Sequence, residues 1–414
     1  MSARILLVSG LPPGRANVGE IALCEMTAGQ PSGVVACVAL IEDHYHHVPA
    51  DSTTVAPIVL RRRPKERRER RLPGSLGAFT AFLDGWWRFE REVTAAVEDA
   101  AVLGRHHGVQ KVWMVLDCAT TLAMGNAVAQ RLRKPLVSLV WDAPEYVLRQ
   151  ARLDRFTRRR LQARFAECMR RSERVAVVSE PMARMLEARY DARTLVVRTP
   201  APDDIPVIPV VLPSPAEYTI VFAGSLHAGT AWRALLSALA RLGWRLAGRP
   251  VRVRVLGTAL RVDSIGPVVI EYLGFQTAAG RDEALCRADL LYLPMPFEED
   301  LADLSRYSFP AKLSSYMWAR RPIFVHAPSY AAAACFVESQ PIGALCVSLD
   351  PERVAADLEA FANDRMRQGQ AELTMARLVA GEFSRRQCRL RFSEFVGGSG
   401  GEAAPSPTAL ASTE

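Results

Sequence analysis

Lysine is scarce in a sequence that is otherwise rich in positive charge. The 414 residues carry 52 Lys and Arg against 44 Asp and Glu, a formal net charge of +8. Only four of the basic residues are lysines: Lys65, Lys111, Lys134 and Lys312. A GC-rich coding sequence explains a general preference for arginine, so each remaining lysine marks a position where a specific role should be sought.

Other absences exclude whole classes of protein. No run of about 18 apolar residues occurs, which argues against a transmembrane helix. The first apolar segment is interrupted at Gly10 and is too short for a secretory signal, so it predicts a first strand. The eight cysteines are scattered without a CxxC pair, which favours reduced thiols in a cytoplasmic protein. The segment HYHH at 44–47 has only Glu42 and Asp43 as nearby carboxylates, which favours a structural loop over a metal site.

The positive charge is concentrated in two segments of the first half. Residues 61–71 (RRRPKERRERR) and 150–174 each carry a net charge of +6, so the rest of the chain has a net charge of −4. Three interpretations stay open: a solvated arginine-rich surface, nucleic-acid binding, and attraction to anionic lipid headgroups. Segment 61–71 contains no aromatic residue, which disfavours nucleic acid. Trp86 and Trp87, beside an apolar stretch at 76–89, fit a membrane surface.

Apolar runs of strand length alternate with helical patterns, which predicts an α/β fold with parallel sheets. The strands predicted in the first half are 5–8, 34–40, 112–116, 136–140 and 175–178. Those predicted in the second half are 218–223, 251–256, 268–272, 290–293 and 323–326. Helices are predicted between them, among others at 230–242, 281–287 and 311–318, and closing helices at 351–363 and 375–395.

A proline-rich segment divides the two sets of strands. Six prolines lie between Pro200 and Pro215, and proline removes backbone donors and fixes φ, so this segment is neither a helix nor a central strand. We therefore predict an amino-terminal domain at 1–200, a linker at 201–216 and a carboxyl-terminal domain at 217–370. A helix at 371–396 and a disordered tail at 397–414 follow. Two Rossmann-like domains would face each other across a cleft, with strand ends directed at a ligand.

An ordered set of segments in the second half resembles the donor domain of GT-B glycosyltransferases, in particular the retaining group related to glycosyltransferase family 4. The segments are 220–229 (IVFAGSLHAG), 252–257 (RVRVLG), 270–275 (IEYLGF), 288–294 (ADLLYLP), 307–313 (YSFPAKL) and 316–322 (YMWARRP). In the first half, 174–186 (RVAVVSEPMARML) resembles the strand and helix that close the amino-terminal domain of these enzymes. The resemblance extends from about 110 to 330 and is moderately specific as an ordered set.

The resemblance implies a site for a nucleotide-diphosphate sugar in the carboxyl-terminal domain, with no bound metal and no cofactor. Gly224 and Gly229 flank a loop before a helix, where backbone N–H groups suit a diphosphate, although a tight turn made for packing has the same pattern. Lys312 would open a helix capped by Ser308, reach the phosphate oxygens and stabilise the leaving group. The implied donor contacts are Gly224, Ser225, His227, Gly257, Gly274, Phe275, Tyr307, Ser308 and Ser315.

The sequence also departs from the family pattern. Many relatives carry two glutamates with seven residues between them, and Tyr307 and Ser315 stand at these positions here. Glu298, Glu299 and Asp300 lie only upstream, in a predicted loop. A protein of this fold that binds without catalysing transfer, or a sugar-nucleotide epimerase, would also explain such losses.

The acceptor is expected in the amino-terminal domain. The loop after the first strand, with Gly14 and Arg15, lacks a GxGxxG motif and does not predict a dinucleotide site. Trp141 stands where relatives often have a histidine, and Asp142 follows it. We predict that Asp142 either contacts an acceptor hydroxyl or caps the next helix.

The resemblance implies a hexosyltransferase that moves a sugar to an acceptor hydroxyl with retention, and we expect it to be cytoplasmic. The expected setting is bacterial polysaccharide, glycolipid or other glycoconjugate synthesis, with a sugar or lipid-linked acceptor. The basic segments 61–71 and 150–174 would bring the protein to the inner face of a membrane.

Overall fold

The computed structural model describes residues 4–397 except 29, 44, 46–54, 65, 67–73, 152, 203–215 and 258–269, and leaves out the side chains at 81 and 84. Several predictions concern segments outside these residues. They are most of the linker at 201–216, all but the first residue of the tail at 397–414, and three residues of the HYHH segment. Lys65 and 67–71 of the first basic segment, residue 152 of the second, and 268–269 of the strand predicted at 268–272 also lie outside them.

Seven parallel strands form the first sheet, in the order β3-β2-β1-β4-β5-β6-β7. They are β1 (Ile5–Ser9), β2 (Val35–Ile41), β3 (Val55–Arg62), β4 (Lys111–Val115), β5 (Leu136–Val140), β6 (Arg174–Val177) and β7 (Thr194–Val196). Every residue of β1, β2, β4 and β5 is buried, as expected for strands covered on both faces.

The second sheet repeats this arrangement in the order β11-β10-β8-β12-β13-β14, with the short β9 antiparallel to β10. Its strands are β8 (Tyr218–Ala223), β9 (Arg245–Leu246), β10 (Arg249–Leu256), β11 (Ile270–Gly274), β12 (Leu290–Pro294), β13 (Ile323–His326) and β14 (Gly343–Cys346). All of its strand pairs other than β9 with β10 are parallel.

Helices cover both faces of each sheet. Those that connect the first sheet are α1 (Val18–Thr27), α2 (Gly74–His106), α3 (Ala119–Met124), α4 (Ala127–Leu132), α5 (Pro144–Gln150), α6 (Arg155–Arg171) and α7 (Glu180–Tyr190). The later ones are α8 (Gly229–Arg241), α9 (Ala278–Cys286), α10 (Ala302–Tyr307), α11 (Lys312–Ala319), α12 (Ala332–Ser339), α13 (Pro351–Asn363), α14 (Arg365–Ala380) and α15 (Arg385–Gly397). None of the helices in the described part of the chain is long and apolar enough to cross a membrane.

The predicted fold class, α/β with two Rossmann-like domains facing each other across a cleft, is confirmed. Each predicted strand is present within two residues of its predicted ends. Strands β3, β7, β9 and β14 and the 33-residue helix α2 were not predicted. The closing helix predicted at 375–395 was wrong in its bounds, because the chain turns at 381–384 and forms α14 and α15 instead.

The last helix, α15, returns to the first domain. Phe392 and Phe395 are fully buried against Trp113 of β4, with ring centroids 4.9 and 6.1 Å from the indole. Arg385 forms an ion pair of 3.0 Å with Glu25 of α1. One face of the first sheet is therefore covered by α1 together with α15, which follows the second domain in sequence.

A second contact between the domains is made by α10. This helix packs against α7 and α5 of the first domain. Arg149 donates to Asp303 at 2.6 Å, and the hydroxyl of Ser179 donates to the backbone oxygen of Tyr307 at 2.5 Å. These contacts bring the carboxyl ends of the two sheets close enough for side chains to meet across the cleft.

Candidate functional site

Three glycines lie in a row where neighbouring strands of the second sheet end. Gly224, Gly257 and Gly274 follow or close β8, β10 and β11, with φ values of 105°, 115° and 65°. The Gly257 N–H donates to the Gly274 oxygen at 2.8 Å, and a Cβ on Gly257 would lie 3.0 Å from the Gly224 oxygen. The left-handed φ values favour glycine at all three positions, and at Gly257 the neighbouring backbone also leaves no room for a side chain. The row leaves an open backbone surface at the sheet edge.

The amino group of Lys312 lies over the first of these glycines. A Cβ on Gly224 would be 3.2 Å from Lys312 Nζ, which also lies 4.3 Å from the ring centroid of Phe222. Burial lowers the pKa of Lys312 to about 8. No carboxylate of the described chain forms an ion pair with it. The arrangement is that of a half-buried cation held ready for an anion.

Ser308 joins the two domains rather than capping α11. Its hydroxyl donates a short hydrogen bond to Asp142 of the first domain. The residue at the cap position of α11 is Ala311, and no side chain caps that helix. The predicted cap was therefore wrong. The fold instead places Ser308 where the ends of the two domains meet.

Asp142 lies at the carboxyl end of β5 and does not cap α5. The cap position of α5 is Ala143, without a side-chain hydrogen bond. Burial raises the pKa of Asp142, while the hydrogen bond from Ser308 and the proximity of His227 lower it. Of its two predicted roles, helix capping is excluded, and contact with an acceptor hydroxyl stays a prediction.

His227 is influenced by both the carboxylate of Asp142 and the ammonium of Lys312. Its pKa is lowered by loss of water contact and by the positive charge of Lys312, and Asp142 opposes this change. The opposing effects show that one imidazole is within electrostatic range of both domains. Lys312, His227 and Asp142 thus form a group of titratable side chains that spans the cleft.

The amino terminus of α8 already holds a carboxylate. Glu298 Oε1 accepts hydrogen bonds of 3.0 Å from both the backbone N–H and the hydroxyl of Thr230. Glu298 therefore satisfies one of the N–H groups at this helix start, where the sequence suggested a diphosphate site. The signal was available, because Glu298 follows β12, the strand beside β8.

The remaining donor residues of the sequence analysis are distributed along the same sheet edge. Ser225 is exposed directly after Gly224, Phe275 is 86% exposed at the end of β11, and Ser315 lies one turn after Lys312 on α11. Tyr307 instead packs against the core of the first domain. The structure brings Ser315 near the lysine and places Tyr307 in the contact between domains.

On the acceptor side, a loop at 10–17 follows β1. The buried Glu20 holds it by accepting from the Ala16 N–H and from Asn17 Nδ2, both at 2.9 Å. The Gly14 N–H donates to the backbone carbonyl oxygen of Glu20 at 3.2 Å, and Arg15 is exposed. A Cβ on Gly19 would lie 3.3 Å from the Trp141 ring. The loop therefore borders the cleft beside Asp142.

Several solved structures of sugar-transferring proteins share this architecture. Anabaena HepE, solved with UDP and glucose, superposes with a TM-score of 0.63 at 14% identity, over 95% of this chain and 99% of that one. The α,α-trehalose-phosphate synthase (UDP-forming) of Burkholderia xenovorans, solved with glucose-6-phosphate, gives 0.61 at 12% identity, over 95% and 100%. CalG4, the calicheamicin glycosyltransferase, gives 0.52 at 14% identity, over 96% and 100%.

The chain has the GT-B fold. No protein-family model matches it, and no curated protein matches its sequence. At identities of 10–15%, the likeness to these structures is one of fold, and the glycine row and Lys312 have to be judged on their own geometry.

A second acidic residue, not identified from the sequence, lies at the same sheet edge of the first domain as Asp142. Asp117 follows β4, the strand between β1 and β5, and accepts from the Gly10 N–H at 3.0 Å and from the Thr121 hydroxyl at 3.2 Å. Burial raises its pKa to about 6, against the lowering effect of the Gly10 N–H and of Arg63. A polar residue directly after a buried strand was the available signal. Asp117 shares this edge of the sheet with Asp142.

No group of three His, Cys, Asp or Glu side chains in the described part of this GT-B chain is arranged to hold a metal ion. The cationic group on the donor side is Lys312, and the carboxylate that reaches the same space from the acceptor side is Asp142. The chemistry that these residues offer is attraction of an anion on one side and acceptance of a proton on the other.

Proposed function

We propose that this protein is a glycosyltransferase that moves a sugar from a nucleotide-diphosphate sugar to an acceptor hydroxyl, with retention of anomeric configuration. The observation that carries the proposal is the half-buried ammonium of Lys312 over Gly224, without an ion-pair partner among the described residues. Keeping such a cation in place is unfavourable unless a ligand uses it. A diphosphate bound above the glycine row would supply a negative partner for the ammonium of Lys312.

In the proposed reaction, the bond between the anomeric carbon and the diphosphate oxygen breaks, and its electron pair leaves with the nucleoside diphosphate. Lys312 stabilises the negative charge that develops on that oxygen. The acceptor oxygen bonds to the anomeric carbon on the same face, and its proton passes to the carboxylate of Asp142. Burial, by raising the pKa of Asp142, makes this carboxylate a better base.

The three glycines of the row would let the backbone approach the nucleotide. The donor would also be surrounded by side chains of both domains' contact region and the sheet edge, namely Ser225, His227, Phe275, Ser308 and Ser315. Gly14 and Arg15 would border the acceptor. We propose a saccharide or a lipid-linked saccharide as the acceptor, in glycoconjugate synthesis on the cytoplasmic side of a membrane. Neither a metal nor a cofactor takes part in this proposal.

A protein that binds a nucleotide sugar without transferring it is the second candidate. The observation that favours it is Ser315 beside Lys312 on α11, at a position where many relatives carry a glutamate. The placement of Tyr307 in the domain contact also removes one position where relatives carry a glutamate.

A paired experiment separates the candidates. Thermal unfolding is measured with UDP, GDP, ADP and TDP, and nucleoside diphosphate release is then followed with the matching sugar donors and a panel of acceptors. A nucleotide that raises the melting temperature of the wild type but not of Lys312→Met supports the donor site. Release that depends on acceptor supports transfer, whereas binding without release supports the second candidate. Isomerised sugar with donor alone would indicate an epimerase, and no nucleotide effect would contradict all three.

A further inference from the structure

Exposed apolar side chains form a stripe along the first half of α2. Leu76, Phe79, Leu83 and Trp87 are 67%, 45%, 48% and 78% exposed. Their spacing of three and four residues places them on one face of the helix, over a length of about 17 Å. The second half of α2 is different, because Phe89, Val93 and Val97 lie in the core of the first domain.

Arginines of α6 border this stripe. Phe79 and Phe82 contact Phe156 of α6, with ring centroids 6.0 and 5.5 Å apart, and Phe82 stacks on Trp86 at 5.5 Å. The guanidinium of Arg160 lies 4.2 Å from the centroid of the Trp86 ring. An aromatic cluster therefore connects the apolar stripe to the basic helix.

The charge of this helix is largely unneutralised. Arg155, Arg159 and Arg160 are exposed, and no carboxylate of the described chain pairs with them. Arg164, in contrast, pairs with Glu90 of α2 at 2.8 Å. A surface that combines exposed apolar rings with free arginines matches the boundary between lipid tails and anionic headgroups.

The apolar stripe lies at the end of the first domain that borders the cleft. The far end of α2 lies at the amino edge of the sheet, where Arg4 donates to the oxygen of His107. The end of α6 lies at the same edge, where the Glu173 N–H donates to the oxygen of Leu136. Both helices therefore begin at the opposite edge, where the strands end and Asp142 lies.

We propose that the exposed face of α2 (Leu76, Phe79, Leu83 and Trp87), together with Arg155, Arg159 and Arg160 of α6, docks on an anionic lipid bilayer beside the mouth of the cleft. The rings insert among the acyl chains near the headgroups, and the arginines pair with lipid phosphates. An acceptor carried by that bilayer would then enter the first domain without crossing open water. The docking itself does not depend on the proposed transfer reaction.

The test is sedimentation with vesicles of phosphatidylcholine containing about 30% phosphatidylglycerol, whose negative surface attracts basic residues, against vesicles of phosphatidylcholine alone. We expect binding to the anionic vesicles that falls at high salt. Arg159→Glu with Arg160→Glu should weaken it by about tenfold or more. Trp87→Ser with Leu83→Ser should weaken it without removing its salt dependence.

Matched variants on other surfaces serve as controls. Leu373→Ser with Met366→Ser changes exposed apolar residues of α14, and Arg386→Glu with Arg389→Glu changes exposed arginines of α15. Neither pair should alter vesicle binding. In vesicles of brominated lipid, quenching of indole fluorescence should fall in Trp87→Phe, although this variant still sediments.

Three results would overturn the proposal. The first is equal binding to neutral and anionic vesicles, and the second is loss of binding in the control variants as well. The third is self-association in solution that Trp87→Ser abolishes, with no binding of the protein to vesicles. The vesicle assay contains no sugar donor or acceptor. Absence of vesicle binding would therefore contradict the docking proposal alone, and the transfer reaction is tested separately by nucleoside diphosphate release.

Discussion

At the scale of single residues, Lys312 combines an unfavourable environment with a suitable position. Its ammonium is half-buried over Gly224, and burial lowers its pKa to about 8. The residue therefore destabilises the folded protein in its charged form while providing a cation where the strands end. Such a conflict between stability and position is typical of functional sites.

Replacing Lys312 by Met should reduce the turnover number for sugar transfer by about 100-fold or more, because the leaving diphosphate loses its cation. Steady-state kinetics of nucleoside diphosphate release would measure this, with Lys134→Met as the control, since Lys134 is an exposed lysine. Wild-type kcat/KM, which reports the ligand-free enzyme, should also decline as the pH rises through about 8, where Lys312 loses its proton. Equal turnover in the Lys312 and Lys134 variants would remove Lys312 from the site.

The same substitution should stabilise the fold near neutral pH. Below pH 8 the lysine is charged in both states, and the folded state bears the cost of burial; above pH 8 the folded state loses the proton first, so wild-type stability rises with pH. We expect Lys312→Met to be more stable by about 1–2 kcal/mol at pH 7, with the difference shrinking between about pH 8 and 10.5. Denaturant unfolding at several pH values measures it. A difference that is constant with pH would contradict this account.

Gly257→Ala should destabilise the protein by about 1–3 kcal/mol, because φ is 115° and the new Cβ would lie 3.0 Å from the Gly224 oxygen. Gly369→Ala is the control, since Gly369 lies in α14 with no atom within 4 Å of an added Cβ, and there we expect a gain of about 0.5–1 kcal/mol. Thermal unfolding of both variants provides the comparison. A loss of the same size at Gly369 would show that the glycine row has no special constraint.

At the scale of elements, the start of α8 holds the carboxylate of Glu298 where the proposed diphosphate would lie. Glu298→Gln should lower stability by about 0.5–1 kcal/mol, because a charge-assisted contact with the helix start is lost. The same change should tighten nucleoside diphosphate binding, since a negative charge near the site is removed. Calorimetric titration and thermal unfolding measure the two effects. Glu299→Gln is the control, and equal effects in both variants would exclude the cap as their cause.

How well an element could be predicted from the sequence depended on how completely it is buried. Strands such as β5 and β8 are buried at every position and appear as continuous apolar runs, so their bounds were predicted to the residue. The edge strand β3 is half-exposed and ends in arginines, so it resembles a loop. The turn between α14 and α15 was missed because both helices are apolar on one side and no proline separates them.

The candidate site was predictable only where it is local in sequence. Gly224 and Lys312 stand in short segments whose pattern suggests a phosphate, and the structure places them together. The bond between Ser308 and Asp142 joins residues 166 positions apart, and the cap of α8 by Glu298 joins residues 68 apart. Contacts of this kind depend on how sheets and domains pack, which no local pattern contains.

At the scale of the whole molecule, α15 connects the two domains through a hydrophobic core. Phe392→Ala should destabilise the protein by about 3–5 kcal/mol, because the ring is fully buried against Trp113. Leu390→Ala, at a 54% exposed position of the same helix, should change stability by less than about 0.5 kcal/mol. Denaturant unfolding followed by circular dichroism measures both. If Phe392→Ala changed the free energy of unfolding as little as Leu390→Ala, α15 would not be part of the core of the first domain.

The return of α15 also affects how the protein is made. A ribosome that adds about 5–20 residues per second needs roughly 15–50 s to proceed from Trp113 to the start of α15. Throughout that time the face of the first sheet beneath α15 is without its cover, and Trp113 is available to chaperones or to other nascent chains. A fragment that ends near residue 200 would remain in this condition permanently. The first domain to be synthesised is therefore completed only when the second has left the ribosome.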